Sequence, residues 1–263
     1  MLNLLAEKAT GEILVFTDAR QRIDKQALHH LVKNFGESTV GCVSGELVLE
    51  AANGSIGEGV GFYWRYEKFI RSRESKVDSA IGATGALYAL RRSLYSPMPS
   101  ETILDDLYIP MKAVAQGFRT LFEGEALVYD DASSSPRQEY ERKVRTLAGN
   151  YQSFAELSEM LNPFKSRVAL QFISHKLLRI LAPFFLLMLF CSNIFLLHFH
   201  VLRLFFFLQC AFYLFALLGA VTAGRLKRIF SAPYVFCLLN ISALAGLYRY
   251  LSGRQQVTWN RGT

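Results

Sequence analysis

Residues 176–263 contain no Asp or Glu, although they hold nine Lys or Arg. That absence excludes several readings at once. A transporter is disfavoured, because it carries acids inside its spans and an internal repeat, and this stretch has neither. A nucleic-acid partner is excluded too, since its basic footprint would sit on a folded polar surface. Here the first 175 residues are near neutral, with 20 basic and 22 acidic side chains, and the formal charge of +7 comes from the C-terminal third. Cysteine is scarce. Cys191, Cys210 and Cys237 lie in apolar runs and Cys42 in a strand-like segment, with neither a disulfide framework nor metal-ligand spacing. They read as small buried hydrophobes. Met1–Leu5 is apolar but meets Glu7 and Lys8 at once, too short a run for a signal peptide.

What the C-terminal third has is apolar length. Runs at 178–198, 203–223 and 232–251 each approach the roughly 20 residues needed to cross a ~30 Å hydrocarbon core. Lys176 and Arg179 precede the first, and Gly224–Arg228 (G-R-L-K-R) is expected as the loop between the second and third. The positive-inside rule then puts the front domain and this loop on the cytoplasmic side of a multi-pass protein, in a bacterial inner (plasma) membrane. Three spans leave the tail outside, although Arg249, Arg254 and Arg261 argue against that side. Residues 162–177 alternate aromatic, basic and apolar side chains and are expected to lie in the interfacial plane of the lipid bilayer.

The first 161 residues suffice for one α/β domain. Strands are expected at Glu12–Thr17, Val40–Leu49 and Arg119–Val128, with a Gly-punctuated strand–loop–strand at Ser79–Leu90. Helices are expected at Asp24–Phe35, Tyr63–Ser72, Leu107–Gln116 and Gln138–Leu161, and loops at Ala51–Gly57 and Ser133–Pro136. This alternation predicts a largely parallel sheet covered on both faces.

Four places are candidates for chemistry. Asp18 ends the first strand, where open α/β sheets bind ligands, and one or two carboxylates with phosphate oxygens and water suffice for Mg²⁺. Its plainer reading is a turn cap. Asp105 and Asp106 precede a helix, where one acid can cap while the other faces a cleft as general base, or both can cap. Gly82-Ala83-Thr84-Gly85 allows close backbone approach to a substrate, or is a tight turn. Arg142, Lys143 and Arg145 offer donors to a phosphate, or form a solvated or lipid-facing helix face.

Four stretches taken in order are more specific than any one: A-T-G-E-I-L-V-F-T-D-A-R (Ala9–Arg20), G-A-T-G-A-L-Y-A-L-R-R (Gly82–Arg92), I-L-D-D-L-Y-I-P (Ile103–Pro110) and Q-E-Y-E-R-K-V-R-T-L-A-G (Gln138–Gly149). With the spans behind them, they resemble the second half of the catalytic domain of membrane-bound family 2 glycosyltransferases, the group of cellulose, hyaluronan and poly-N-acetylglucosamine synthases. The resemblance implies a GT-A-like (Rossmann-like) partial α/β domain at 1–161, then the interfacial segment 162–177 and an all-α transmembrane region of about three helices at 178–263. It implies inverting transfer from a nucleotide sugar, a UDP-sugar foremost, to a glycan or lipid-linked acceptor at the cytoplasmic membrane face, in polysaccharide or cell-envelope glycan synthesis, with Mg²⁺ or Mn²⁺. By position, Asp18 matches the first acid of the D-x-D motif, which holds metal and donor diphosphate. The third position is Arg20, which removes one ligand and offers a phosphate contact instead. Asp106 matches the catalytic base, with Asp105 beside it. Thr84 and Gly85 fall in the loop near donor and acceptor. Arg142 and Arg145 fall where processive members carry Q-x-x-R-W, and Arg145 alone keeps its identity; Thr146 replaces the Trp that stacks on the acceptor sugar, a departure from the processive pattern.

The family domain begins with strands that bind the nucleotide base, ahead of the D-x-D strand. Here that strand starts at Glu12, and Leu2, Leu5 and Ala9 continue a helix into it. The chain is therefore expected to be an N-terminally shortened form or to carry a misassigned start, with an exposed sheet edge. Two function classes stand: the sugar transferase, and a non-catalytic membrane subunit that keeps the fold and acts through a partner protein.

Overall fold

The structure, a computed structural model, describes residues 1–50, 55–131, 136–222 and 224–255. In chain order the elements of the front domain are α1 (Leu2–Lys8), β1 (Ile13–Thr17), β2 (Arg22–Ile23), α2 (Ala27–Lys33), β3 (Val40–Glu50), α3 (Ser55–Val77), β4 (Leu87–Arg91), α4 (Asp105–Ala115), β5 (Arg119–Asp131) and α5 (Pro136–Glu156). Then come α6 (Ala169–Phe172), α7 (Leu178–Phe195), α8 (His200–Val221) and α9 (Gly224–Leu251). The expected loops at 51–54 and 133–135, and the tail with Arg261, lie outside the described residues; Ser55–Gly57 opens α3 instead of closing a loop.

One five-stranded sheet has the order β1-β4-β3-β5-β2. Only β3 and β5 run parallel; β1 with β4, β3 with β4 and β2 with β5 are antiparallel. The expected largely parallel sheet is therefore a mixed one. The cause is local. After α3 the chain turns at Thr84–Leu87, where the Leu87 N–H donates to the Thr84 carbonyl at 3.0 Å, and it enters β4 against both neighbours. Residues 79–86, expected to hold the first strand of a pair, are loop.

Period-two alternation along β4 builds a core on each face. Tyr88 and Leu90 join Leu107 and Met111 of α4 and Phe172 of α6, while Leu87 and Ala89 join Leu31 of α2 and Val128 of β5. Each fully buried Leu there contributes about 1.5–3 kcal/mol. β1 is an edge strand, and Val15 on it is exposed.

Helix α5 joins the sheet domain to the helices behind it. Gly246 of α9 makes this possible, since a Cβ there would stand 2.9 Å from the backbone nitrogen of Ala148. Leu147, Ile180 and Ala243 fill the contact from α5, α7 and α9, and Arg249 reaches Glu141 at 2.7 Å. Three helices, Ala169–Phe195, His200–Val221 and Ile229–Leu251, are long and apolar enough to cross a membrane. The first starts ahead of the expected 178, because α6 continues through a π turn at Ile173–Leu177 into α7. Phe172 and His175 of this lead-in are buried against the front domain. Gly224–Arg228, expected as a loop, is the first turn of α9. Leu, Lys and Arg are strong helix formers, so apolarity stops there without the helix stopping.

Candidate active site

Helix α4 begins on Asp105 and Asp106, and Leu104 holds its cap position without a side-chain hydrogen bond. Neither acid is the cap, so both are available to a cleft. Pro110 lies inside this helix. Lacking an N–H, it cannot bond the carbonyl four residues back, which is that of Asp106. That carbonyl instead accepts the Ala83 N–H at 2.7 Å. A residue that weakens the helix thus ties the Gly82–Gly85 loop to the turn bearing the two acids. Gly85 completes the junction: its N–H bonds the Asp106 carboxylate, and a Cβ there would stand 3.0 Å from Asp106 Oδ2. Thr84 is buried and occupied, its Oγ1 accepting from Arg71 Nη1 and its N–H donating to Ser44 Oγ, each at 2.8 Å. It holds the loop in place.

Asp18, at the carboxyl end of β1, acts electrostatically on Asp105, and Asp106, Asp105 and Asp18 all act on the Arg145 guanidinium. Four residues singled out from sequence therefore converge. Burial, then the Asp106 charge, pushes the Asp105 carboxyl up to about 6; Asp18 adds to the rise and Arg145 opposes it. Burial also raises Asp106, against the pull of Arg71, Lys176, Arg145 and the Gly85 N–H. A carboxylate raised toward neutrality accepts a proton more readily, which suits a general base.

The other candidates make different contacts. Arg20 pairs with Asp130 of β5 at 2.9 Å, and Gln21 Nε2 donates to that carboxylate at 3.2 Å and to Asp18 at 3.3 Å. Arg142 donates to Glu139 at 2.5 Å, and Lys143 reaches the same carboxylate at 3.8 Å. Thr146, in the family's Trp position, donates its hydroxyl to the Arg142 carbonyl.

For a divalent metal, the exposed Asp18 carboxylate accepts from Gln21 Nε2 at 3.3 Å, and among the described residues no three His, Cys, Asp or Glu converge. One or two carboxylates is nevertheless a common protein share of a Mg²⁺ or Mn²⁺ shell, the remainder being diphosphate oxygens and water. Asp18, with Asp105 acting on it, fits a cation held jointly with substrate.

On the far side of Asp106 stands a buried network that sequence reasoning missed. His175 Nδ1 lies 2.8 Å from Glu74 Oε1 and its Nε2 3.1 Å from Glu67 Oε1. Glu67 also accepts from Arg179 at 2.9 Å and Arg71 at 3.3 Å, while Glu74 Oε2 accepts the Ile81 N–H at 3.1 Å. The network links the π turn ahead of α7 to both ends of the loop that touches Asp106. Its available signal was the i,i+4 pair Glu67–Arg71 with Glu74 two turns further along, a polar stripe that sequence presents as a solvated face. Next to it lies a cavity of about 920 Å³, with Asp106, Arg71, Lys143 and Lys176 on its wall and α9 at its far end.

Residues 13–226 match the profile of the glycosyl transferase family group 2. An O-antigen chain rhamnosyltransferase of Salmonella typhimurium is 24% identical over 151 residues, covering 54% of this chain and 48% of the relative. The chain thus spans about half the length of that curated relative. Among solved structures, a mannosyltransferase from Pyrobaculum calidifontis, in complex with GDP-Man and Mn²⁺, superposes with a TM-score of 0.62 at 20% identity, over 96% of this chain and 66% of its own length. The fold is GT-A-like, a mixed-sheet α/β domain followed by three long apolar helices.

Proposed function

We propose a reaction on one premise: this chain belongs to the glycosyl transferase family group 2. The reaction is inverting transfer of a sugar from a nucleotide-sugar donor to a glycan or lipid-linked acceptor, in envelope polysaccharide synthesis at the cytoplasmic membrane face. The observation that carries it is the convergence of Asp18, Asp105, Asp106 and Arg145 where β1 ends and α4 begins. Asp106 takes the proton from the acceptor hydroxyl. The hydroxyl oxygen bonds to the anomeric carbon as that carbon's bond to the diphosphate oxygen breaks, so one displacement inverts the centre. Arg145 is the cation that meets the negative charge developing on the departing diphosphate. Asp18 would hold Mg²⁺ or Mn²⁺, which supplies further neutralisation of the diphosphate when bound. Asp105, itself raised by burial and by the Asp106 charge, stands beside the base as a second carboxyl.

Support comes from the relative's name, which places it in O-antigen assembly, and from the neighbour's title, which records GDP-Man and Mn²⁺. That title gives a guanine nucleotide where the resemblance implied a UDP-sugar, so the donor is proposed only as a nucleoside diphosphate sugar. The test is nucleoside diphosphate release by the full-length protein in membranes, wild type against Asp106→Asn. Transfer should vanish while insertion is unchanged; wild-type rates in the variant would overturn the reading.

A further inference from the structure

Asp106 takes a backbone hydrogen bond from Gly85, and a Cβ on Gly85 would stand 3.0 Å from Asp106 Oδ2. Turn and carboxylate are packed without slack, so a shift of one moves the other. The turn is fixed one residue earlier. Thr84 is pinned from two sides, its N–H by Ser44 Oγ of β3 and its Oγ1 by Arg71 Nη1 of α3, each at 2.8 Å. Ser44 holds the backbone from the sheet; Arg71 holds the side chain and brings a charge.

The surroundings of Arg71 give it a fixed aim. It is buried, and its Nε donates to Glu67, one helical turn earlier on α3, at 3.3 Å. Burial opposes ionisation of Glu67, yet the hydrogen bond from His175 and the charges of Lys176, Arg71 and Arg179 hold its carboxyl well below the usual carboxylate range. A planar guanidinium gripped on one edge by this anion points its other N–H groups in a set direction, which a lysine ammonium would not. That direction is the Thr84–Gly85 turn. The charge matters separately. The groups that face Asp106 are Arg71 of α3, Lys176 of the π turn, Arg145 of α5, Asp105 beside it on α4, Tyr88 of β4 and the Gly85 N–H, while Asp18 of β1 acts on Asp105. Burial drives the Asp106 carboxyl up, and Arg71 is foremost among the cations that oppose it.

We propose, resting on the transferase reading, that Arg71 is a positioning residue for the transfer: gripped by Glu67, it fixes the Thr84–Gly85 turn against Asp106 and sets a positive charge beside the base. It acts through Asp106, not by contact with the reacting atoms. The turn orients the carboxylate; the charge favours its ionised form, which is the one able to take the hydroxyl proton. Glu67 also meets His175 Nε2 at 3.1 Å and Arg179 at 2.9 Å, both on the lead-in to the first apolar helix. The base is thereby placed relative to the point where that helix docks.

Three variants separate the two duties. Arg71→Gln loses fork and charge, Arg71→Lys loses the fork and keeps the charge, and Thr84→Val loses the acceptor and leaves the charge. The full-length protein in membranes is given UDP-glucose or GDP-mannose, and kcat, donor KM and the pH profile are read from nucleoside diphosphate release. The acidic limb of kcat/KM belongs to Asp105 and Asp106 together. The Asp106 carboxyl is therefore also titrated by infrared difference in nanodiscs, each protein against its own Asp106→Asn form. Arg71→Gln should lower kcat about tenfold with donor KM unchanged, a loss of base positioning. It should also move the limb and the infrared midpoint up by about one pH unit, because an opposite charge has gone. Arg71→Lys should restore limb and midpoint while kcat stays low, and Thr84→Val should lower kcat with both in place. A limb and midpoint unmoved in Arg71→Gln would overturn the proposal, since a merely structural role lowers only the thermal midpoint. So would a wild-type kcat in Thr84→Val, which decides alone if Arg71→Gln fails to insert. Absence of transfer by the wild type would overturn the transferase reading instead; the infrared midpoint is read without transfer, so the two failures stay distinct.

Discussion

On the β1 side of Asp106 the carboxylates of Asp18 and Asp105 stand with one guanidinium, Arg145; on the side facing α7–α9, Arg71, Lys143, Lys176 and Arg179 stand with the carboxylates of Glu67 and Glu74. The two sides are also built differently. Asp18 is exposed at a strand end, and Asp105 stands in the first turn of α4, an open arrangement that a water-soluble nucleotide and its metal can reach. Arg71, Lys143, Lys176 and Arg179 come from α3, α5, the π turn and α7, and interlock with the buried Glu67, Glu74 and His175. Asp106 between them is pulled both ways, since burial raises its proton affinity and the cations Arg71, Lys176 and Arg145 lower it. The contrast is between an open set of groups and a buried, interlocked one, with the Asp106 carboxylate between them.

The sharpest way to break that contrast is to remove the shared residue. Asp106→Asn should lower transfer about 10²–10⁴-fold, the range of general-base catalysis. Melting temperature should hold or rise, because a buried carboxylate held against its charge is lost. Next in size, Asp18→Asn or chelation of divalent metal should weaken nucleotide-sugar binding by about 10–100-fold, the order seen when metal sites lose supporting groups.

How much of this was legible follows from the span of the contacts. Asp18, Asp105 and Asp106 sit at a strand end and a helix start, places that local sequence marks, and Arg145 kept its motif spacing. On the other side only Arg142 and Lys143 were legible, as donors on one helix. His175 meets Glu74 and Glu67 across 101 and 108 residues, and only the π turn, which no local pattern announced, aims it there. Thr84 was placed near donor and acceptor by the resemblance, and no local pattern shows that Arg71 and Ser44 hydrogen-bond it. Strand direction failed for a related reason: alternation of strands and helices does not reveal a four-residue reversal before β4.

His175→Ala tests whether the buried side holds the loop. Removing one member of a buried ionic set strands the others, at about 3–5 kcal/mol. The expected result is a much lower denaturation midpoint and a lower kcat, with Asp18-dependent donor binding retained; an unchanged midpoint would show the network to be incidental. Pro110→Ala is subtler. An interior proline costs a helix about 3 kcal/mol, so the variant should be more stable. Its restored N–H then competes with Ala83 for the Asp106 carbonyl, and kcat should fall about tenfold with KM little changed, a partial loss of base positioning. A rise in both stability and kcat would detach the loop from the base.

The smallest effect, Lys143→Gln, sharpens the comparison most directly, because it asks whether the cation side is strained when empty. In the folded protein the ammonium is lowered from near 10.5 to about 8, by burial first and against the pull of Glu139. Unfolded, it titrates near its ordinary ~10.4. Below pH 8 both states are protonated and the folded state bears the full cost of the buried charge. Between about 8 and 10.5 the unfolded chain keeps a proton that the folded chain has released, so this group makes stability rise with pH across that window. Lys143→Gln should raise the midpoint of thermal unfolding at pH 7 and reduce its rise from pH 8 to 10; the difference between the two proteins isolates this residue from other titrating lysines. Equal slopes in both proteins would mean that the Lys143 charge is already compensated and that the two sides of Asp106 do not differ in electrostatic demand.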